Sequence, residues 1–452
     1  MTSTKAVGIP SYREILNVAT PLIFGGISES ISAVVDTMFM GSLGKEAIDS
    51  VGFTSIILLL VMMIGWGISR AVQVILSQLY GANKWDQVGV IIRHGLMIMI
   101  PISLFISSIV YFFASDISNF MFSNEAISVM SEKLFKIRSL GFGFVMITAL
   151  ISSFFIAVHQ TKIILIVQII AAISNVILNY LFVFGKFGFQ PMGYSGSAYA
   201  TVIAEFIGFV VILSYFFYKK HKYDSDFKIF SWSPFDKKVS FQIILLSYPI
   251  WLQHILSLGC WIYFFALIER MSIQALAVSI ILKQIFSLVA IPSFALANTS
   301  NTFIGQLVGA RKINSILPTI YKISFLGSMI LLIFTTILFI FKPYVFRLFT
   351  QDTSILEISF WPYMMLLISF LILPIANIFF HSILGLGNSK INLIIETITI
   401  LFYFAYIHLI LETFKLNIVW AWTSEIFYWV VLLFTGLIFF KWIPWQRFIK
   451  YH

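Results

Sequence analysis

The chain has 452 residues, of which 60% are hydrophobic and 11% charged, with a formal net charge of +10. Soluble domains carry about 25% charged residues, so this composition excludes an ordinary soluble enzyme or binding module and places most of the apolar surface in lipid. The basic residues sit in short loops between apolar stretches, which argues against a nucleic-acid partner, and the single Cys260 excludes an internal disulfide.

A membrane-spanning helix needs about 20 predominantly apolar residues. In chain order, spans are expected near 15–42, 50–80, 90–115, 130–158, 163–185 and 194–218. A second set follows near 240–268, 274–308, 315–341, 356–384, 391–412 and 417–441. The first stretch is too long and too acidic for a cleavable signal and reads as a mature first helix. Residues 219–238 form the one substantial polar connector. The expected domains are therefore an N-lobe over 1–218, a linker over 219–238 and a C-lobe over 239–452.

The chain repeats itself at a fixed offset. Pro21 recurs as Pro249, Ala47 as Ala275, Gly81 as Gly309 and Lys162 as Lys390, each 228 positions on (249 − 21). Gln78 to Lys84 recurs as Gln306 to Lys312. Paired halves in an apolar chain are a mark of secondary transporters, whose substrate site lies at the repeat interface. The fold expected is an all-α integral membrane protein with twelve spans in two pseudo-symmetric six-helix bundles.

Loop charge alternates. Lys5, Arg13, Lys84, Lys162, Arg311, Lys312, Lys390, Arg447 and Lys450 fall on one side, with Lys219, Lys220, Lys222, Lys237 and Lys238 of the connector. Asp49, Asp116, Glu125 and Asp352 fall on the other, with fewer bases: Lys45, Lys186 and Lys342. The excess of Lys and Arg puts both termini and the connector in the cytoplasm and the protein in the cytoplasmic (inner) membrane. Both halves begin on the same side, so an axis along the membrane normal should relate them.

Ionisable residues inside spans are functional candidates, because inserting one costs about 2.5–3.5 kcal/mol. The first span carries Glu29 and Asp36, two turns apart on one face and able to share a cavity. Burial disfavours a charged carboxylate, so Asp36 suits reversible loading of a proton or Na⁺. Pro21 removes a helix hydrogen bond and is the expected hinge. Asn175 and Asn179, four apart, share a face of the fifth span and offer oxygen ligands. Thr201 and Glu205 have the same spacing in the sixth. Gln253, Lys283, Met38 and Met62 are further residues that could line a cavity, Met being adaptable to varied ligands. Glu396 and Glu425 could do so or pair locally. His159, His254, His381 and His408 show no metal-ligand spacing. No resident metal or cofactor is expected, and no catalytic constellation marks an enzyme.

No Gly-x-x-x-x-Gly-Lys loop is present, so energy should come from an ion gradient. One cation moving under roughly 180 mV supplies about 4 kcal/mol, near a thousandfold substrate gradient.

These residues resemble the multidrug and toxin extrusion (MATE) family. The resemblance rests on Pro21 with Val35-Asp36-Thr37-Met38-Phe39-Met40-Gly41 to Gly44, Ala47 and Gly52. It also rests on Gln73 with Gln78 to Ala82, its echo at Gly305 to Ala310, Asn175 to Gly185, Gly196 to Thr201, and Gly385 to Lys390. It covers essentially the whole chain. It implies a V of two six-helix lobes that exports amphipathic, often cationic, organic compounds against a cation, as a monomer among membrane lipids. It also implies a cation site around Asp36, with Asn175 and Thr201 as neighbours. The sequence departs from the family where a helix-five aspartate is replaced by Asn179 and a helix-one Gln by Glu29. Ser257 and Leu373 stand near the places of carboxy-lobe acids that some members use for Na⁺. That implies coupling through the amino-terminal lobe.

Two other readings are less well supported. A lipid-linked precursor flippase of the same superfamily would need a cationic cavity, for which Lys283 and Arg70 are the hints. A major-facilitator transporter would need a basic loop motif that Gly81 to Asp86 does not provide.

Overall fold

A computed structural model describes residues 8–451 except 42, 232, 233, 348 and 351. Lys5 and Ser42, and the side chains of Lys45, Ala47 and Asp49, lie outside the described residues.

The described chain is helical, without a strand. In order run α1 (Tyr12–Gly41), α2 (Lys45–Gly81), α3 (Trp85–Phe112), α4 (Ala114–Met121), α5 (Glu125–Ser139) and α6 (Phe142–Ala157). Next come α7 (Lys162–Phe184), α8 (Tyr194–Tyr218), α9 (Lys220–Phe227), α10 (Lys237–Met271), α11 (Ile273–Val289) and α12 (Ile291–Gly309). The last are α13 (Ile316–Ile340), α14 (Lys342–Arg347), α15 (Thr353–Gly385), α16 (Ser389–His408) and α17 (Ile418–Trp442). Among the described residues, ten helices are long and apolar enough to cross a membrane. Twelve spans result if α5 with α6 (bent by 45°) and α11 with α12 (bent by 42°) each count as one.

The spans expected near 130–158 and 274–308 are thus each broken into two helices. The break before α12 has a local cause: Pro292 sits in its first turn, where a missing N–H costs nothing. The position 228 residues earlier is Ile64, and α2 runs through it unbroken over 37 residues.

The chain forms two compact units. One comprises Pro21–Tyr80 and Lys84–Trp251; the other comprises the chain up to Thr20, Gly81–Asn83 and Leu252–His452. Besides the one before Gly81, the last residue of α2, the divisions inside helices fall at Pro21 of α1 and two residues beyond Pro249 of α10; Pro21 and Pro249 are related by the repeat.

Within the first unit α1 lies on α7 so closely that a Cβ on Gly25 would come within 2.7 Å of Gln168 Oε1. Gly208 of α8 meets Ala171 and Val167 of α7 at 3.5 Å. Residues 219–238 are more structured than a polar connector suggests. The α9 helix buries Tyr223 and Phe227, and Tyr223 donates to Gln160 at 2.7 Å. Arg93 of α3 donates to the carbonyls of Lys228 at 2.9 Å and Ile229 at 3.1 Å, and also to that of Ser231. His94 Nδ1–H donates to Val90 O at 2.8 Å, so its Nε2 accepts the Asp236 N–H, also at 2.8 Å.

Within the second unit α15 is the central helix. A Cβ on its Gly385 would lie 2.7 Å from the Asn301 carbonyl of α12, and Ser382 and Ser300 hydrogen-bond at 2.7 Å.

Candidate functional site

Three helices of the first unit place polar side chains at four-residue spacing: Ser32 and Asp36 on α1, Asn175 and Asn179 on α7, and Ser197 and Thr201 on α8. Equal spacing on neighbouring helices lets successive side chains meet one turn apart. Ser32 Oγ donates to Asn175 Oδ1 at 2.8 Å, and Asn179 Nδ2 donates to Asp36 Oδ1 at 2.6 Å, both pairs 143 residues apart. The constant separation means that α1 and α7 run parallel there.

The network continues inward. Asn175 Nδ2 donates to Thr201 Oγ1 at 3.3 Å, and Thr201 donates in turn to the Ser197 carbonyl at 2.9 Å. Asn179 Nδ2 also reaches the Asn175 carbonyl at 3.0 Å. Both asparagines are buried, Asn179 fully at 0% exposure. Asn179 Oδ1 is buried without a hydrogen-bond partner, so the site holds one carboxylate, several neutral oxygens and one unused acceptor. Such a set can carry a proton on Asp36 or surround a small cation with oxygen.

The other expected residues are distributed more widely. Glu29 is exposed on α1 and makes no hydrogen bond or ion pair with a described residue. Glu205 is one turn beyond Thr201 but pairs with Arg138 of α5 at 3.1 Å. A Cβ on Gly141 would strike Glu205 Oε2, so a side chain there would displace that carboxylate. Pro21 is buried within α1. Met62 is buried and Met38 is 70% exposed.

In the second unit Gln253 is buried, with Oε1 unpartnered, and Lys283 is exposed on α11. One cluster was not foreseen. Glu396 of α16 is buried, and its Oε1 lies 2.5 Å from Ser257 Oγ and 2.7 Å from Tyr428 OH. Its Oε2 has no partner. An acid therefore does stand beside Ser257, supplied by another helix. Neither helix-turn spacing nor the repeat could signal it, because Glu396 and Tyr428 pair with Gln168 and Ala200 at the 228 offset.

The family model described as MatE matches residues 21–181 and 249–441, the two halves in turn. The chain belongs to the MatE family of transporters. A probable multidrug resistance protein NorM of Synechocystis is 25% identical over 66% of this chain and 64% of its own length, so that match spans less than two thirds of the relative. A protein of the same description from Thermotoga maritima is 24% identical over 97% of this chain and 94% of its own. The solved outward-facing structure of a multidrug resistance MATE family transporter of the MOP superfamily matches with a TM-score of 0.87. It covers 99% of this chain and 98% of that one at 16% identity, a likeness of fold.

Proposed function

We propose that this MatE-family chain is a cation-coupled antiporter that exports amphipathic, cationic organic compounds by alternating access, with Asp36 as the coupling residue. The observation that carries the reading is the pairing of Asp36 with a buried carboxamide, Asn179, whose oxygen is unused. A carboxamide serves both states of its neighbour. Nδ2 donates to a charged Asp36; after rotation, Oδ1 accepts from a protonated Asp36 or ligates a cation. Asn175, Thr201 and Ser32 hold Asn179 and Asp36 in register. The coupling ion is H⁺ or Na⁺, cargo of the cycle and not a resident cofactor.

In this reading an N-lobe over 1–218 and a C-lobe over 239–452 alternate as a monomer in the cytoplasmic membrane, with both termini and the 219–238 linker in the cytoplasm. Pro21 is the hinge. Loading the cation at Asp36 reshapes α1 about that residue, weakens substrate binding and releases the compound outside. Glu29, on the same helix, offers a second carboxylate to a cationic substrate. The probable multidrug resistance proteins among the relatives support an organic cargo.

The test is export of a fluorescent cationic dye from vesicles reconstituted with the purified protein. H⁺ and Na⁺ gradients are imposed separately. Export driven by one of them supports the reading and names the ion; export driven by neither rejects it.

A further inference from the structure

The α7–α8 hairpin carries a groove that the proposed coupling site does not use. It has a volume of about 450 Å³ and lies between the first turns of α7 and the last turns of α8. Lys162, Ile163 and Ile166 line it from α7; Val211, Tyr215 and Tyr218 line it from α8. Tyr218 is seven residues beyond Val211 (218 − 211), so a rise of 1.5 Å per residue takes the groove roughly 10 Å down the hairpin. Both helices are apolar enough to cross a membrane, so this length of groove meets hydrocarbon. Its walls are anchored: Ile163 is buried, and the Tyr215 ring packs on buried Phe155 at 5.7 Å.

The mouth of the groove is cationic. Lys162 is exposed, and its Nζ makes no ion pair or hydrogen bond with a described residue. Lys219, Lys220 and Lys222 follow α8 at the same end of the hairpin, and none of them is ion-paired among the described residues. Lys219 Nζ lies 5.0 Å from the centroid of the Tyr218 ring, at the edge of the groove. The acids of α9, Asp224 and Asp226, come two and four residues after Lys222. Asp224 is taken up by the Phe230 N–H at 2.9 Å and the Ser231 hydroxyl at 3.2 Å. An apolar slot with a lysine rim has the two-part character of a lipid, a hydrocarbon chain below and a charged group above.

We propose that this groove is a binding site for one anionic glycerophospholipid, with an acyl chain along Ile166 and Val211 and the phosphodiester at Lys162 and Lys219. Charge complementarity selects the headgroup, because a basic pocket between spanning helices attracts anionic lipid and each lysine near the surface adds to that attraction. The lysine stems lie along the apolar wall and keep their ammonium groups at headgroup level. Tyr215 and Tyr218 give ring faces to the chain and hydroxyls to the headgroup, the usual arrangement of aromatic residues at a membrane interface. A zwitterionic phospholipid has the same chains, but its own cationic group opposes the lysines.

The test is native mass spectrometry of the purified full chain in a neutral detergent, titrated with phosphatidylglycerol or with phosphatidylcholine of the same acyl chains. Wild type should retain one phosphatidylglycerol in preference to phosphatidylcholine. Lys162→Met keeps the apolar stem and should lower that preference about fivefold. Val211→Trp fills the slot without touching a charge and should remove the retained phosphatidylglycerol. Lys390, the exposed lysine related to Lys162 by the repeat, does not line this groove, so Lys390→Met should leave the preference unchanged. Equal retention of the two lipids by wild type, an unchanged preference in Lys162→Met or Val211→Trp, or an equal drop in Lys390→Met would overturn the proposal. So would a dimer free of lipid, which would assign the groove to a second copy of the chain. Lipid retention is read without a gradient or a dye, so its outcome is independent of the exporter reading.

Discussion

Asn179 gives its amide nitrogen to Asp36 at 2.6 Å while its own buried oxygen has no partner. Asp36 is thereby tied to a group that can change hydrogen-bond polarity without leaving its place. The family resemblance implies an acid where Asn179 stands. With one carboxylate instead of two, the site avoids like-charge repulsion and, in the reading proposed above, has a single group to load.

Replacing Asn179 with Ala removes the donor to Asp36. A buried hydrogen bond to a charged group contributes about 1.5–3 kcal/mol, so driven dye export should fall roughly ten- to a hundredfold. Asn179→Asp restores two neighbouring acids and should move the pH dependence of export. Initial rates across a pH series check both. An unchanged rate in Asn179→Ala would remove the amide from the mechanism.

Glu205 is expected to support the fold. Removing one partner of this half-buried pair leaves a stranded charge, at a cost below that of a fully buried one, about 3–5 kcal/mol. Glu205→Gln should therefore lower the unfolding temperature more than the double variant Arg138→Met with Glu205→Met. Thermal unfolding in detergent distinguishes them, and equal losses would argue that the pair is not the structural link.

Glu396→Gln should keep driven export. A carboxamide oxygen can still accept from Tyr428, which donates at 2.7 Å, and the coupling site proposed at Asp36 is in the other unit. Loss of driven export with dye binding intact would show that the second unit shares the coupling.

Pro21→Ala restores the helix hydrogen bond that proline removes. Dye binding should persist while driven export falls, because a straighter, stiffer α1 transmits ion loading poorly. Vesicle export beside detergent binding separates these effects.

Much of this arrangement was legible in the sequence because spacing carries it. Pairs four apart at Asn175/Asn179 and Thr201/Glu205 gave helix faces; the first meets α1 at Asp36, and Thr201 of the second meets Asn175. Apolar stretches gave the spans, since hydrocarbon thickness fixes their length. Tertiary proximity was not legible. Glu205 reads as a cavity acid until Arg138, 67 positions away, is seen beside it. Glu396 reads as a residue that could line a cavity or pair locally until Ser257 and Tyr428 converge on it. The break at Pro292 was readable in principle, but the strong apolar run from 274 to 308 obscured it.

The most direct test of the central claim is gradient-driven dye export by Asp36→Asn in reconstituted vesicles, measured beside its dye binding in detergent. Asparagine keeps the size of Asp36 and one oxygen to accept from Asn179 but cannot exchange a proton or carry charge. The account predicts that dye binding stays within a few-fold of wild type while export under either gradient falls to the level of empty vesicles. Export by Asp36→Asn at the wild-type rate, under the gradient that drives the wild type, would contradict it.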